Sequence, residues 1–291
     1  WNWNAGDTDS KTYTVTVVDD SGNKYRFDGF GTSAVTLRLA KGGTYIFNYP
    51  SAHPFRFSAT SDGTHGGGSE YTTGVTVISS TSVQIVVDSS APVLYYYCTQ
   101  HSGMGGQIDT NSDLGSSNFD GTLQSTVKVN ATAGFSIVSY TVGNFSGMTM
   151  GHGLGVAPVI AISKKRSGTS DWSVQFVNPF DNSTDYMFLN KQDAKGDTST
   201  YFTSTTVKDG FGTGANGDTI IQYVFSEVQG YSKLGKYIGN GSATNAPFVF
   251  TGFRPRFMII KQLGNMDWVI DDTTRSTFNE SNATLFSNIN D

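Results

Sequence analysis

The amino-acid sequence predicts an almost all-β chain, and three observations carry that prediction. Charged residues make up only 15% of the 291 positions, against about a quarter in ordinary soluble domains. Glycine occurs 34 times and aromatic residues form 13%, with Ser, Thr and Asn filling much of the rest; β-branched and aromatic side chains favour strands, whereas Gly, Asn and Ser favour turns. Finally, no segment sustains a helical apolar period with capping signals at its ends.

The strands can be assigned in order. Residues 13–18 (YTVTVV), 35–39 (VTLRL), 44–48 (TYIFN), 55–58 (FRFS) and 83–87 (VQIVV) alternate or run apolar over strand lengths and are separated by Gly, Asp, Asn and Ser clusters. A further apolar strand ends at Tyr95-Tyr96-Tyr97-Cys98. Together these segments define a first domain over residues 1–108. Residues 109–124, rich in Gly, Ser, Asn and Asp, read as a linker. A β-rich domain follows over 125–230, and 231–291 reads as the start of a second copy, apparently truncated.

The second copy is visible as an internal repeat. Tyr140 recurs as Tyr237 (237 − 140 = 97), Pro158-Val159-Ile160 as Pro255-Arg256-Phe257 (255 − 158 = 97), and Asp171-Trp172 as Asp267-Trp268 (268 − 172 = 96). Three anchors in one register argue against coincidence. A period of this length is too long for a solenoid turn, so each copy is expected to be a β-sandwich-like unit or half-domain. The first copy closes with the apolar run 217–225 (GDTIIQYVF), for which the sequence to Asp291 holds no counterpart; a continuation beyond Asp291 is therefore expected, because missing strands leave an open sheet edge. The chain opens on Trp1-Asn2-Trp3-Asn4 with no initiator Met and no signal-peptide pattern, so either a processed chain or part of a longer protein is expected.

The chemistry is concentrated in Cys98-Thr99-Gln100-His101-Ser102-Gly103-Met104 and the upstream His53. One thiolate, two imidazoles and a thioether form the ligand set of a mononuclear blue-copper site, because sulfur suits Cu(I) and imidazole suits both oxidation states. A short loop after a strand can fold Cys98, His101 and Met104 around one ion, and His53 closes the site from another strand. Taken singly, a Cys after three tyrosines is a small buried hydrophobe and a His before Pro54 is structural. Co-occurrence favours the metal, since the only Cys and two of the four His fall in this set. The ion could equally serve to staple the loop, since metal-binding free energy can be folding free energy.

These residues resemble the cupredoxins. The loop has the C-x2-H-x2-M form of the amicyanin type, and His53-Pro54-Phe55 stands where cupredoxins carry their first histidine. The resemblance implies a Greek-key β-sandwich over residues 1–108 with His53, Cys98, His101 and Met104 as ligands to one copper ion. The later segments Gly134-Phe135-Ser136-Ile137-Val138-Ser139-Tyr140, Gly151-His152-Gly153-Leu154-Gly155-Val156-Ala157-Pro158 and Asp171-Trp172 resemble β-rich domains of tail-fibre and related virion proteins of tailed marine phages, in which a cupredoxin-like module also occurs. That resemblance implies a structural protein of the virion surface that works in display and host attachment, as a trimer or other multivalent homo-oligomer, contacting other virion proteins and a host glycan or protein receptor. Low charge with many hydroxyl, amide and aromatic side chains suits weak carbohydrate contacts multiplied by avidity. The alternatives are a secreted or periplasmic blue-copper electron-transfer protein with a cell-surface docking module, and a capsid decoration protein.

Other functions are disfavoured. The formal net charge of −5 leaves no basic stripe for phosphates, and the one basic cluster, Lys164-Lys165-Arg166, reads as a solvated turn. No apolar run has the length of a membrane span. A single Cys forbids an internal disulfide. No G-x-S-x-G elbow occurs. Asp171, Asp267 and Glu227 are candidate paired carboxylates only by default, and the recurring Asp-Trp pairs read as structural, with Asp making a turn contact. His152 reads as a turn residue between Gly151 and Gly153, and His65 as a loop residue rather than an extra ligand. The sequons at Asn130, Asn182 and Asn282 carry no weight in a chain this rich in Asn, Ser and Thr. No catalytic residue is expected, and no enzymatic activity.

Overall fold

A computed structural model of the chain describes residues 5–6, 10–111, 115–144, 146–199, 202–208, 214–242, 244–277 and 283–289. Trp1–Asn4, Tyr201, Asn282, Asn290 and Asp291, which the sequence reading invoked, lie outside them. The fold is all-β: among the described residues the only helical element is a 3-10 turn at Gly63–Gly66. The chain divides into two units, the first made of residues 1–130, 137–140 and 148–153, the second of 131–136, 141–147 and 154–291.

The first unit contains strands β1 (Ser10–Asp19), β2 (Asn23–Phe27), β3 (Leu37–Ala40), β4 (Thr44–Asn48), β5 (Phe55–Ser58), β6 (Val75–Ser79), β7 (Ser82–Val86), β8 (Leu94–Cys98) and β9 (Gly106–Asn111). They form a five-stranded sheet in the order β2-β1-β4-β7-β6 and a four-stranded sheet in the order β3-β9-β8-β5. β1 pairs in parallel with β4, and β3 with β9. Both sheets feed one core, because alternate side chains of each strand point inward. Tyr13, Val15, Phe27, Tyr45, Phe47, Val83 and Ile85 come from one sheet; Leu37, Leu39, Phe55, Phe57, Leu94, Tyr96, Cys98 and Ile108 come from the other. Aromatic rings fill the space between, with Phe47 and Phe55 stacked at 4.8 Å and Phe55 and Tyr96 at 5.4 Å. This is a β-sandwich.

The segment expected as a linker, 109–124, is instead built into this unit. Its first residues end β9, and Ser116–Asn118 forms β10 beside β11 (Ser125–Asn130). Phe119 is 4% exposed and stacks on Phe27 at 5.7 Å. Tyr13 donates its hydroxyl proton to the Ser117 carbonyl (2.8 Å), and the Arg38 amide donates to Ser117 Oγ (2.8 Å). A polar composition suggested solvent, but one aromatic ring and a row of small serines suffice to seal the sandwich.

After β12 (Phe135–Thr141) and β13 (Thr149–Gly151) come β14 (Ile160–Lys165), β15 (Ser173–Val177), β16 (Thr184–Phe188), β17 (Gly196–Asp197), β18 (Thr206–Lys208), β19 (Thr219–Phe225), β20 (Phe257–Lys261), β21 (Trp268–Asp272) and β22 (Leu285–Phe286). In the second unit β19, β14, β15, β16 and β17 lie side by side, antiparallel throughout, and β20, β21 and β22 form a three-stranded sheet. The repeat is structural. Ile162 faces Val174 in the first copy and Ile259 faces Ile270 in the second, and the offsets (259 − 162 = 97; 270 − 174 = 96) are those of the sequence. The third strands also correspond, since Val174 faces Met187 and Ile270 faces Leu285.

A shared clasp holds each copy. Asn190 donates to Asp171 (2.9 Å) and accepts from the Trp172 amide (2.9 Å); Asn288 donates to Asp267 (2.6 Å) and accepts from the Trp268 amide (3.0 Å). The Asp of each pair thus makes the turn contact its recurrence suggested, through an Asn beyond the third strand. Among the described residues Tyr237 lies outside any strand, unlike Tyr140 in β12, and no counterpart of β19 follows β22. Ile238, Phe248 and Phe250 are exposed at 79%, 89% and 74%.

The second unit will be acid-labile. Its Lys165 ammonium, 2.8 Å away, with the Ala215 amide and the Ser167 hydroxyl, holds the Asp218 carboxyl at about 2. Hydrogen bonds from Lys191 and Asn190 lower Asp171, those from Gln192 and Asn288 lower Asp267, and the Arg275 amide leads in lowering Asp272. A carboxyl depressed by folding contributes stability above its unfolded value, near 3.9, that is lost as pH falls through its folded value. Thermal melts should therefore hold steady above pH 5 and decline between about pH 4 and 2. Flat midpoints across that window would show these carboxylates contribute nothing to folding.

Candidate metal centre

The register of one strand pair brings the distant histidine to the cysteine. β5 and β8 are antiparallel with Phe55 opposite Cys98, and the Thr99 amide donates to the Pro54 carbonyl (3.1 Å). His53, two residues before Phe55, therefore stands beside the C-terminal end of β8. From there Thr99–Gly105 turns the chain back into β9, where Gly106 pairs with Tyr96. The turn is tight enough to require glycine: a Cβ on Gly105 would stand 1.7 Å from the Tyr96 carbonyl oxygen.

His53, Cys98 and His101 place their ligand atoms within 4.8 Å of one another. Cys98 Sγ is 3.6 Å from His101 Nδ1, and the two imidazoles lie with centroids 4.7 Å apart. Cys98 is fully buried, His53 half-buried and His101 exposed, so the cluster meets solvent along the His101 edge. Met104, three residues past His101, is fully buried in the core cluster that contains Cys98, and its carbonyl accepts the Tyr25 amide (3.0 Å). Three of the four sequence-predicted ligands thus converge directly, and the fourth, Met104, is the buried residue of the same turn.

The supporting residues were not legible as such. The Gly63–Gly66 turn lies against Tyr97, where a Cβ on Gly63 would stand 2.5 Å from the ring. That approach brings His65 Nε2 to 3.0 Å from the Cys98 carbonyl, so His65 braces the ligand loop. Asp62, at a left-handed φ of 56°, accepts the Gly103 amide (2.9 Å), and Lys24 donates to the Gly103 carbonyl. Tyr25 donates to the His53 carbonyl (2.8 Å); burial first, then hydrogen bonding with Cys98, pushes its hydroxyl up, so it remains a donor. Only the cluster of short polar residues around Asp62-Gly63-Thr64-His65 hinted at this bracket.

The donor set fits a metal ion. His53 Nδ1 is buried without a hydrogen-bond partner, and such an orphan costs about 1–3 kcal/mol unless something occupies it. Burial, then the neighbouring His101, lowers the His53 pKa, favouring the neutral imidazole that coordinates metals. A His-Cys-His cluster of this kind could hold one metal ion, the sulfur favouring a soft or borderline one.

The other residues singled out in the sequence lie elsewhere. His152, read as a turn residue between Gly151 and Gly153, directly follows β13 and is fully buried. Asp171 and Asp267 are engaged in the two clasps, and Glu227 accepts the Leu234 amide (2.8 Å).

Fold and site together define an all-β protein with a β-sandwich bearing a metal-type cluster, followed by a tandem β-rich repeat. The chain belongs to the family described as Domain of unknown function (DUF7483), whose family model matches residues 110–291. No curated protein and no solved structure matches the chain.

Proposed function

We propose that the chain is a structural component of a phage virion, a tail fibre, appendage or surface fibre, that displays its β-rich domains for host-surface attachment and holds one type 1 copper ion in its N-terminal sandwich. The observation that carries the copper assignment is the convergence of Cys98, His53 and His101, with Met104 as the thioether of the set. Bound there, copper would supply one-electron redox chemistry; His53, Cys98, His101 and Met104 would hold it, with Cys98 and Met104 buried and His101 open to solvent. The virion assignment is supported by the resemblance of Gly134–Tyr140, Gly151–Pro158 and Asp171-Trp172 to marine-phage fibre domains and by a clasp built twice in tandem. Multivalent assembly as a trimer or other homo-oligomer would turn weak contacts with a host glycan or protein receptor into useful avidity.

Elemental analysis and a visible spectrum of the oxidised full-length chain, alongside host-cell binding and sizing, test both halves. Near-stoichiometric copper with strong charge-transfer absorption is expected, together with elongated oligomers that bind cells. Protein that stays colourless and copper-free after reconstitution removes the copper; monomers that bind no cells remove the attachment. The exposed His101 edge favours a second reading, electron transfer, in which a redox partner docks at that edge. Cell binding that survives loss of the metal would belong to the fibre and not to that reading.

A further inference from the structure

Two arginines of the second repeat have no acidic partner among the described residues. Arg254 and Arg256 line an open cavity of about 260 Å³ with Thr273 and Thr277. The β21 carboxylate paired in register with Phe257, next to Arg256, is already engaged: Asp272 accepts from the Thr274 amide (2.8 Å), the Arg275 amide (3.0 Å) and Arg275 Nε (2.7 Å). Asp272 therefore stiffens the turn after β21 without neutralising the arginines.

The first repeat supplies an internal control. There the Val177 amide donates to the Val159 carbonyl (2.9 Å), and in the second repeat the Thr273 amide donates to the Arg256 carbonyl (3.0 Å). The backbones correspond, with 256 − 159 = 97 and 273 − 177 = 96, yet Ala157, Val159 and Val177 have become Arg254, Arg256 and Thr273. The scaffold does not need these side chains, since the first copy builds the same hydrogen bond with apolar ones.

We propose that this cavity binds an acidic carbohydrate through a sugar carboxylate or sulfate. Guanidinium forks bind such groups in bidentate fashion, and the adjacent threonine hydroxyls match the hydroxyls of a sugar ring. The cavity is sized for a few sugar units, and the chain, with a net charge of −5, offers no extended basic stripe of the kind duplex DNA requires. The inference rests on the host-attachment reading and names the receptor chemistry.

The test is binding of the full-length chain to immobilised alginate (carboxylate), dextran sulfate (sulfate), neutral dextran and duplex DNA at low salt. The wild type should bind at least one acidic polysaccharide and not neutral dextran, and R254Q/R256Q should weaken that binding by roughly tenfold or more. Neutralising a separate, exposed lysine cluster, in K233Q/K236Q, should leave it unchanged. Should R254Q/R256Q fail to fold, R254K/R256K keeps the charge, and a clear loss from removing the fork supports the site. No binding to either acidic polymer, equal binding by the arginine variants, equal loss in the lysine-cluster variant, or duplex DNA bound as tightly would each overturn the inference. Host cells bound equally by wild type and R254Q/R256Q would overturn it while leaving attachment standing. Polymer binding with no cell binding would keep the site and remove the attachment reading.

Discussion

On the proposed copper reading, Cys98→Ala is expected to abolish a thiolate-to-copper absorption and lower copper retention to what the remaining donors can hold. The thiolate supplies that absorption and the soft donor of the set, and no other cysteine can replace it. The fold should survive, since trimming one small buried side chain costs only about 1 kcal/mol, at the low end of large-to-small core changes. Copper should raise the melting midpoint of the wild type, because a ligand bound only by the native state stabilises it by about 2.7 kcal/mol at a hundredfold excess over Kd. The same addition should leave Cys98→Ala nearly unmoved. Equal copper content and an unchanged spectrum in the variant would remove Cys98 from the site.

Trp268→Ala will destabilise the second unit by about 3–5 kcal/mol, the usual range for a buried aromatic. Trp268 is 7% exposed and packs with Val174, Phe176 and Met187 of the first repeat, and its indole Nε1 donates to the Phe188 carbonyl (2.9 Å). The Gln192 side chain reaches Asp267 (2.7 Å) and Ser287 reaches the Leu189 carbonyl (2.5 Å), so one ring anchors the seam between the copies. Trp172, its sequence equivalent, is only half-buried, with the Lys164 ammonium over its ring at 5.4 Å. Trp172→Ala should cost less than about 2 kcal/mol. Urea titrations of the two variants compare them directly; equal losses would mean that the Trp268 seam adds nothing. Copper loading should be unchanged in both, since every residue of the ligand set lies in the first unit.

The strands that alternate cleanly were legible. Thr44–Asn48 and Phe55–Ser58 have the bounds the sequence suggested, because one face of each is buried and period-two patterning follows burial. β2 was missed: Asn23–Phe27 alternates Lys24 and Arg26 with its buried Tyr25 and Phe27, too short an alternation to stand out. The 109–124 segment was misread because Ser116, Ser117 and Asn118 are buried by hydrogen bonding rather than by apolar character, which composition does not register. In the candidate site, the cluster of His53, Cys98 and His101 was legible because a thiol and imidazoles in this spacing form a recognisable donor set. The brace of Asp62 and His65 was not, since it depends on a close approach to Tyr97 permitted by Gly63.

By itself the sequence determined the all-β class, the candidate donors His53, Cys98 and His101 that the fold brings together, and the two-copy register, each set by local patterning that a linear reading can follow. Tertiary structure alone decided that His53 reaches Cys98 through the Phe55–Cys98 pairing, that Phe119 closes the first core, and that Trp268 inserts into the other copy's face. It also decided that Arg254 and Arg256 share one cavity with Thr273 and Thr277. The physical reason is the same in each case. Residues far apart in the chain meet only through strand register and packing, and these depend on the whole set of long-range contacts rather than on any one segment.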